Sequence, residues 1–151
     1  MMGAVDDLVT WLRAQIDEDE REQAYLVGRV GRALADADLE TYPGAYEARK
    51  EYYDGLAETA LKAAGSDPAR VLPEVEAKRK IIEAYERVSG EQRVDERALM
   101  TALKAGALRD IPQRQEAHRD TLGRRRGLEL AVRLLALPYA DRPGYLEAWR
   151  P

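Results

Sequence analysis

Asp7-Leu8-Val9-Thr10-Trp11-Leu12-Arg13-Ala14-Gln15-Ile16 decides the fold class of this chain. Leu8, Leu12 and Ile16 stand four apart, the spacing of one helical face and not the two-residue alternation of a strand. The rhythm resumes at Leu26 or Val27, Val30 and Leu34. A helix is therefore predicted from about Asp6, a candidate N-cap, to about Ala37. Asp17–Gln23 is polar all round, and Gly28 and Gly31 are poor helix formers, so a bend or break is expected near one of them. Asp17 and Arg21 form an acid-before-base pair four apart.

The same period runs through the rest of the chain, which lacks Phe and Asn and has few alternating β-branched runs. Thr41-Tyr42-Pro43-Gly44 punctuates; a second helix then carries Tyr46, Tyr53, Leu56, Ala60 and Leu61 and ends at Gly65. Asp67-Pro68 restarts the chain as N-cap and first helical residue. Pro73 lies past the first turn, where it removes a hydrogen bond, so Asp67–Leu72 is expected to be a separate turn or the helix to kink. Val71, Val75, Ile82 and Tyr85 line its inner face, with Glu74–Lys78, Glu76–Lys80 and Glu83–Arg87 as intrahelical pairs.

Ser89-Gly90 reads as that helix's end. Asp95 reads as the cap of a short helix with Leu99, Met100 and Leu103, closed by Gly106. Ile111-Pro112 opens a segment stopped by Pro138. From Gly127 to Leu137 only Glu129 and Arg133 are polar, which predicts the most buried helix; Gly123 and Gly127 mark close helix approach or a break. Asp141 is expected to cap a last turn, Pro143–Trp149, that folds back on the domain. The expectation is all-α: one helical domain over residues 1–151, with about five helices and a short C-terminal helical turn.

Composition narrows function. The chain has 151 residues, 45% hydrophobic and 34% charged, the balance of a folded domain. Its formal charge is −4 with 24 basic and 28 acidic side chains, a poor overall match for nucleic acid. The charge is uneven: residues 1–60 hold 14 acids and 6 bases, and the remainder 14 acids and 18 bases. The two halves should attract each other or present faces of opposite sign. With no cysteine there is no disulfide and no thiolate chemistry. No signal peptide or membrane span is read, so a cytoplasmic location is expected.

Catalytic sets are scarce. The lone histidine, His118, reads as a surface residue, and Ser66 and Ser89 as punctuation. One histidine without cysteine does not make a zinc site. No cofactor is expected and no catalytic or metal residue is assigned. Glu51-Tyr52-Tyr53-Asp54 and Glu83-Ala84-Tyr85-Glu86 resemble the E-x-x-D and E-x-x-E elements of all-α nucleotide pyrophosphatases of the MazG type, in reversed chain order. A magnesium site would need those carboxylates turned inward, whereas the period puts Tyr53 and Tyr85 inward.

The candidate contact residues are therefore surface patches. Asp17, Glu18, Asp19 and Glu20, followed by Glu22, are the densest negative run, fanning at about 100° per residue. They suit a basic partner or mimic a phosphate backbone, and Asp36, Asp38 and Glu40 extend them. Arg124-Arg125-Arg126 is the densest positive patch. Arg119, Arg126 and Arg133, seven apart, form a stripe roughly 20 Å long, opposite Leu128 and Leu135, that suits phosphates or the acidic half. Tyr139, Tyr145 and Trp149 form an aromatic cluster, read as core packing with interface as the alternative.

Three segments carry a family resemblance: residues 7–20; residues 67–83, opening Asp67-Pro68-Ala69-Arg70-Val71-Leu72-Pro73-Glu74-Val75; and residues 134–151, with Leu137-Pro138-Tyr139-Ala140-Asp141-Arg142-Pro143-Gly144-Tyr145 at their centre. Together these resemble a family of small proteins of unknown function from actinobacteria and their phages. Relatives often place histidines just before Asp-Pro-Ala-Arg; here Lys62-Ala63-Ala64-Gly65-Ser66 has none. The resemblance implies a setting and transfers no functional residue. The leading expectation is a small accessory protein acting by contact with a protein partner or a second copy. Nucleic-acid binding through the Arg stripe and MazG-like hydrolysis are the alternatives.

Overall fold

A computed structural model describes residues 3–38 and 44–151, and every regular element among them is helical. Met1, Met2, Glu40 and the Thr41-Tyr42-Pro43 punctuation lie outside the described residues. The elements are α1 (Ala4–Ala37), α2 (Ala45–Ala48), α3 (Lys50–Ala63), α4 (Pro68–Lys104) and α5 (Ile111–Ala136). Two 3-10 turns, Leu137–Tyr139 and Glu147–Trp149, follow.

Helix starts and stops have local causes. Asp6 is not the N-cap of α1 but sits in its first turn, where its carboxylate accepts the Gly3 N–H at 3.2 Å while its own N–H donates to Gly3 O at 2.8 Å. Asp67 does cap α4, accepting the Ala69 N–H at 3.2 Å. Gly65 (φ 89°) closes α3 through the bonds Ser66 N–H to Leu61 O and Gly65 N–H to Lys62 O. Gly106 (φ 64°) closes α4 the same way, with Ala107 N–H on Ala102 O and Gly106 N–H on Leu103 O. A left-handed glycine lets the chain turn back and satisfy the last carbonyls.

Several expected breaks are absent. α1 is uninterrupted through Asp17–Gln23, where Glu, Gln and Arg are good helix formers and Arg21 Nε donates to Asp17 O at 3.1 Å. α4 passes through Pro73, Ser89-Gly90 and Asp95 as one 37-residue helix, so the short helix expected to start at Asp95 is its last part. Pro73 lacks an N–H for the Ala69 carbonyl, but both residues are exposed, where water meets the need. The second expected helix is instead divided at Arg49 (φ −129°, ψ 35°) into α2 and α3.

The chain divides into two compact units, Met1–Arg13 with Lys78–Pro151, and Ala14–Ala77. In the first, Leu8, Leu12, Ile82, Val132 and Ala136 are fully buried, with Tyr85, Tyr139 and Trp149 nearly so. Salt bridges Arg13–Glu86 (2.6 Å) and Arg124–Glu91 (3.3 Å) brace its helices. In the second, Ala35, Tyr46 and Tyr53 form a cluster against which Leu34 packs. Leu56, placed inward by the sequence, is 41% exposed, and Ala57 takes the buried position.

α5 departs most from expectation. It buries Thr121, Val132 and Ala136 but leaves Leu130 and Leu134 half exposed, so it is not the most buried helix. Gly123 and Gly127 neither break it nor receive a neighbour: a Cβ at either would meet nothing within 4 Å. Pro138 falls inside the 3-10 turn that follows, whose last bond runs from Ala140 N–H to Leu137 O. The final turn is capped at Leu146 without a side-chain bond, so Asp141 does not cap it.

Candidate interaction surfaces

The C-terminal aromatic cluster is built on Trp11 in the first unit. Trp149 is 3% exposed, its ring 5.4 Å from Trp11 and 5.8 Å from Tyr145; Trp11 and Tyr145 stand 5.6 Å apart, edge to face. Trp11 Nε1 donates to Pro143 O at 3.1 Å. Gly144 makes that turn at φ 86°, and a Cβ there would lie 2.9 Å from Trp11 Nε1. Tyr139 is buried too, accepting from Lys78 Nζ at 2.7 Å, with Arg142 over its ring at 4.8 Å. Sequence reasoning placed Trp11 in the first helix without giving it this role. A helical face holding one large aromatic beside Leu8 and Leu12 was the available signal.

The arginine stripe loses its third member. Arg133 is half-buried, and its guanidinium donates to Ala148 O (3.0 Å), Arg150 O (3.4 Å) and Glu129 Oε1 (3.1 Å), fastening the tail to α5. Arg119 and Arg126 are exposed. Within the arginine triplet, Arg124 meets Glu91 at 3.3 Å and Asp120 at 3.2 Å, and Arg125 lies 3.8 Å from Glu129. Much of that positive patch is locally neutralised.

The acidic run lies on α1 in the second unit. Asp17 and Glu18 are exposed, whereas Asp19 and Glu20 are half-buried, as the fanning of consecutive helical residues requires. Glu18, Glu22 and Tyr25 share one outward face by their four- and three-residue steps, and Tyr25 is 63% exposed. Arg29, also exposed, bounds this face one turn further on.

The second unit also holds a polar cluster that sequence reasoning missed. Tyr46 Oη donates to Asp54 Oδ1 at 2.8 Å, Lys50 pairs with Asp54, and Arg32 lies 5.0 Å over the Tyr46 ring. Tyr53 Oη donates to Asp38 Oδ2 at 3.1 Å. Burial pushes the Asp54 carboxyl up, but the bonds from Lys50 and Tyr46, with the Lys50 and Arg32 charges, hold it below the usual carboxylate range. The bond to Asp54 raises Tyr46, and burial followed by the Asp38 bond raises Tyr53. Gly31 makes room: a Cβ there would lie 2.9 Å from both Asp54 Oδ1 and Tyr46 Cε2. A glycine in mid-helix beside a Tyr-rich segment was the only cue.

These carboxylates are structural in their bonding. Asp54 is held by Tyr46 and Lys50 and Glu86 by Arg13, while Tyr53 and Tyr85 point inward at 1% and 2% exposure, as the period predicted. Among the described residues no three His, Asp or Glu side chains converge to hold a metal ion. Among those residues, too, no helix is long and apolar enough to cross a membrane. No curated protein and no solved structure matches the chain. One family does, over almost its whole length: residues 5–151 match, and the chain belongs to the family of unknown function DUF6221.

Proposed function

We propose that this chain is a small helical accessory protein that acts by protein–protein contact, taking a basic segment of its partner on the acidic face of α1. The observation that carries the reading is Tyr25, 63% exposed and in helical register with exposed Glu18 and Glu22. An exposed aromatic ring beside carboxylates suits an arginine or lysine, which gains from the ring face and the negative charge together. The family resemblance supports an actinobacterial or phage cytoplasm as the setting. Affinity capture from the source cells, comparing the native chain with Glu18→Lys/Glu22→Lys and with Tyr25→Ala, tests it. Loss of a captured protein in both variants, at unchanged helicity, supports the reading; an unchanged captured set overturns it.

The alternative, nucleic-acid binding, is supported by the exposure of Arg119 and Arg126. It predicts affinity that falls steeply with salt and drops in Arg126→Glu. Undetectable binding at roughly 50 mM salt removes it.

A further inference from the structure

A cleft of about 310 Å³ opens where the first turn of α1 meets α4 and α5, all within the first unit. Tyr85, Gln92 and Glu96, stepping by seven and four, bring one face of α4 to it. Arg93 lines it beside them, and α5 supplies Arg125 and Glu129, four apart. The residue that marks the cleft is Tyr85. Its side chain is 2% exposed and lines the cleft, yet its hydroxyl bonds to no described residue. A phenol so deeply buried ordinarily spends its O–H on an acceptor.

The charges around that hydroxyl say what kind of group would complete it. Each carboxylate of the cleft already has a donor. Asp6 takes the Gly3 N–H at 3.2 Å, Glu96 the Gln92 amide at 3.2 Å, and Glu129 the Arg133 guanidinium at 3.1 Å. The two guanidiniums are less well served. Arg93 stands 3.9 Å from Asp6 and Arg125 3.8 Å from Glu129, within Coulomb reach but too far for a hydrogen bond. Neither donates a hydrogen bond elsewhere among the described residues. The cleft is therefore rich in unused donors. With Arg133 counted beside Glu129 its charged side chains balance, and the N-terminus of α1 adds the positive end of a helix. Among the described residues no three carboxylates converge to hold a metal ion, so a cation is not the match.

From this we infer that the cleft binds a small molecule through an oxyanion, a phosphate or carboxylate that accepts from the Tyr85 hydroxyl, Arg93 and Arg125. Its volume reaches the range of small-molecule sites, leaving room for a short body behind the anionic head. The inference does not rest on the α1 reading. Titrating the ¹⁵N-labelled full chain with inorganic phosphate, and separately with acetate, at constant ionic strength tests it and tells the two heads apart. Saturable shifts of the Val5, Asp6 and Gln92 amide signals are expected with at least one probe, at a dissociation constant on the order of 1 mM. Tyr85→Phe should raise that constant about tenfold while leaving the urea midpoint unchanged, since the hydroxyl has no partner to lose. Arg125→Gln should raise it as well. No saturable shift with either probe at about 50 mM overturns the inference. So does a constant indifferent to Tyr85→Phe, or the same shifts produced by sodium chloride alone.

Discussion

At the residue scale, one glycine and one tryptophan carry more than their size suggests. Gly31 lets Tyr46 and Asp54 press against α1; Gly31→Ala puts a Cβ 2.9 Å from both. Overpacking of this kind costs roughly 1–3 kcal/mol, to be measured by urea unfolding. Gly55→Ala, with nothing within 4 Å of its Cβ, is the control and should cost nothing. Trp149→Ala should cost roughly 3–5 kcal/mol, a fall in melting temperature of about 10 °C. Trp149→Phe should lose much less, because Trp149 Nε1 makes no hydrogen bond and the ring acts through contact. A large loss for both variants would mean the indole N–H matters after all. The packing of Trp149 was legible from its spacing to Tyr145 and the prolines before it. Its partner Trp11, 138 positions earlier, was not, because periodicity shows which face is buried and not against what.

At the element scale, α4 shows why local signals misplace helix ends. Ser89-Gly90 looks like a stop, yet Gly90 is not among the glycines with positive φ, whereas Gly65 and Gly106, which do end helices, are. Glycine ends a helix only where the chain adopts the left-handed turn; burial of Tyr85, Val88, Ser89 and Gln92 on one face holds α4 helical across Gly90. Since Gly90 is exposed with open space about it, Gly90→Ala should stabilise the protein by roughly 0.5–1 kcal/mol, read as a higher urea midpoint. A lower midpoint would show that the glycine is needed there. The error over α5 has another source. Its apolar run was read as depth, but two leucines of that run stand on the outer face while Val132 and Ala136 alone are fully covered. Apolar content gives the amount of greasy surface; only packing partners decide which part is hidden. The Arg stripe failed at Arg133 for a related reason, since carbonyls of a distant tail claimed a side chain that the wheel put outside.

At the scale of the whole molecule, the helical class and the family were legible from period and motif, while the polar cluster around Asp54 needed three elements brought together. That cluster gives a pH dependence with a definite sign. The Asp54 carboxyl is held below its usual range in the folded chain, so the unfolded chain takes the proton more readily. Its contribution is complete above the ordinary aspartate value of about 3.9 and is lost as pH falls through the lower folded value. The native chain should therefore lose more stability than Asp54→Asn between about pH 5 and the acid limit; parallel melting curves for the two would refute this. The aromatic trio also has an optical side. Trp11 and Trp149 are the chain's two tryptophans, and their rings lie 5.4 Å apart. Chromophores that near share their excited states, so the pair is a built-in gauge of whether the last residues are seated. Detachment of the tail would erase the near-ultraviolet dichroism of the pair and shift its emission to the red while the helical signal stayed, with no label added.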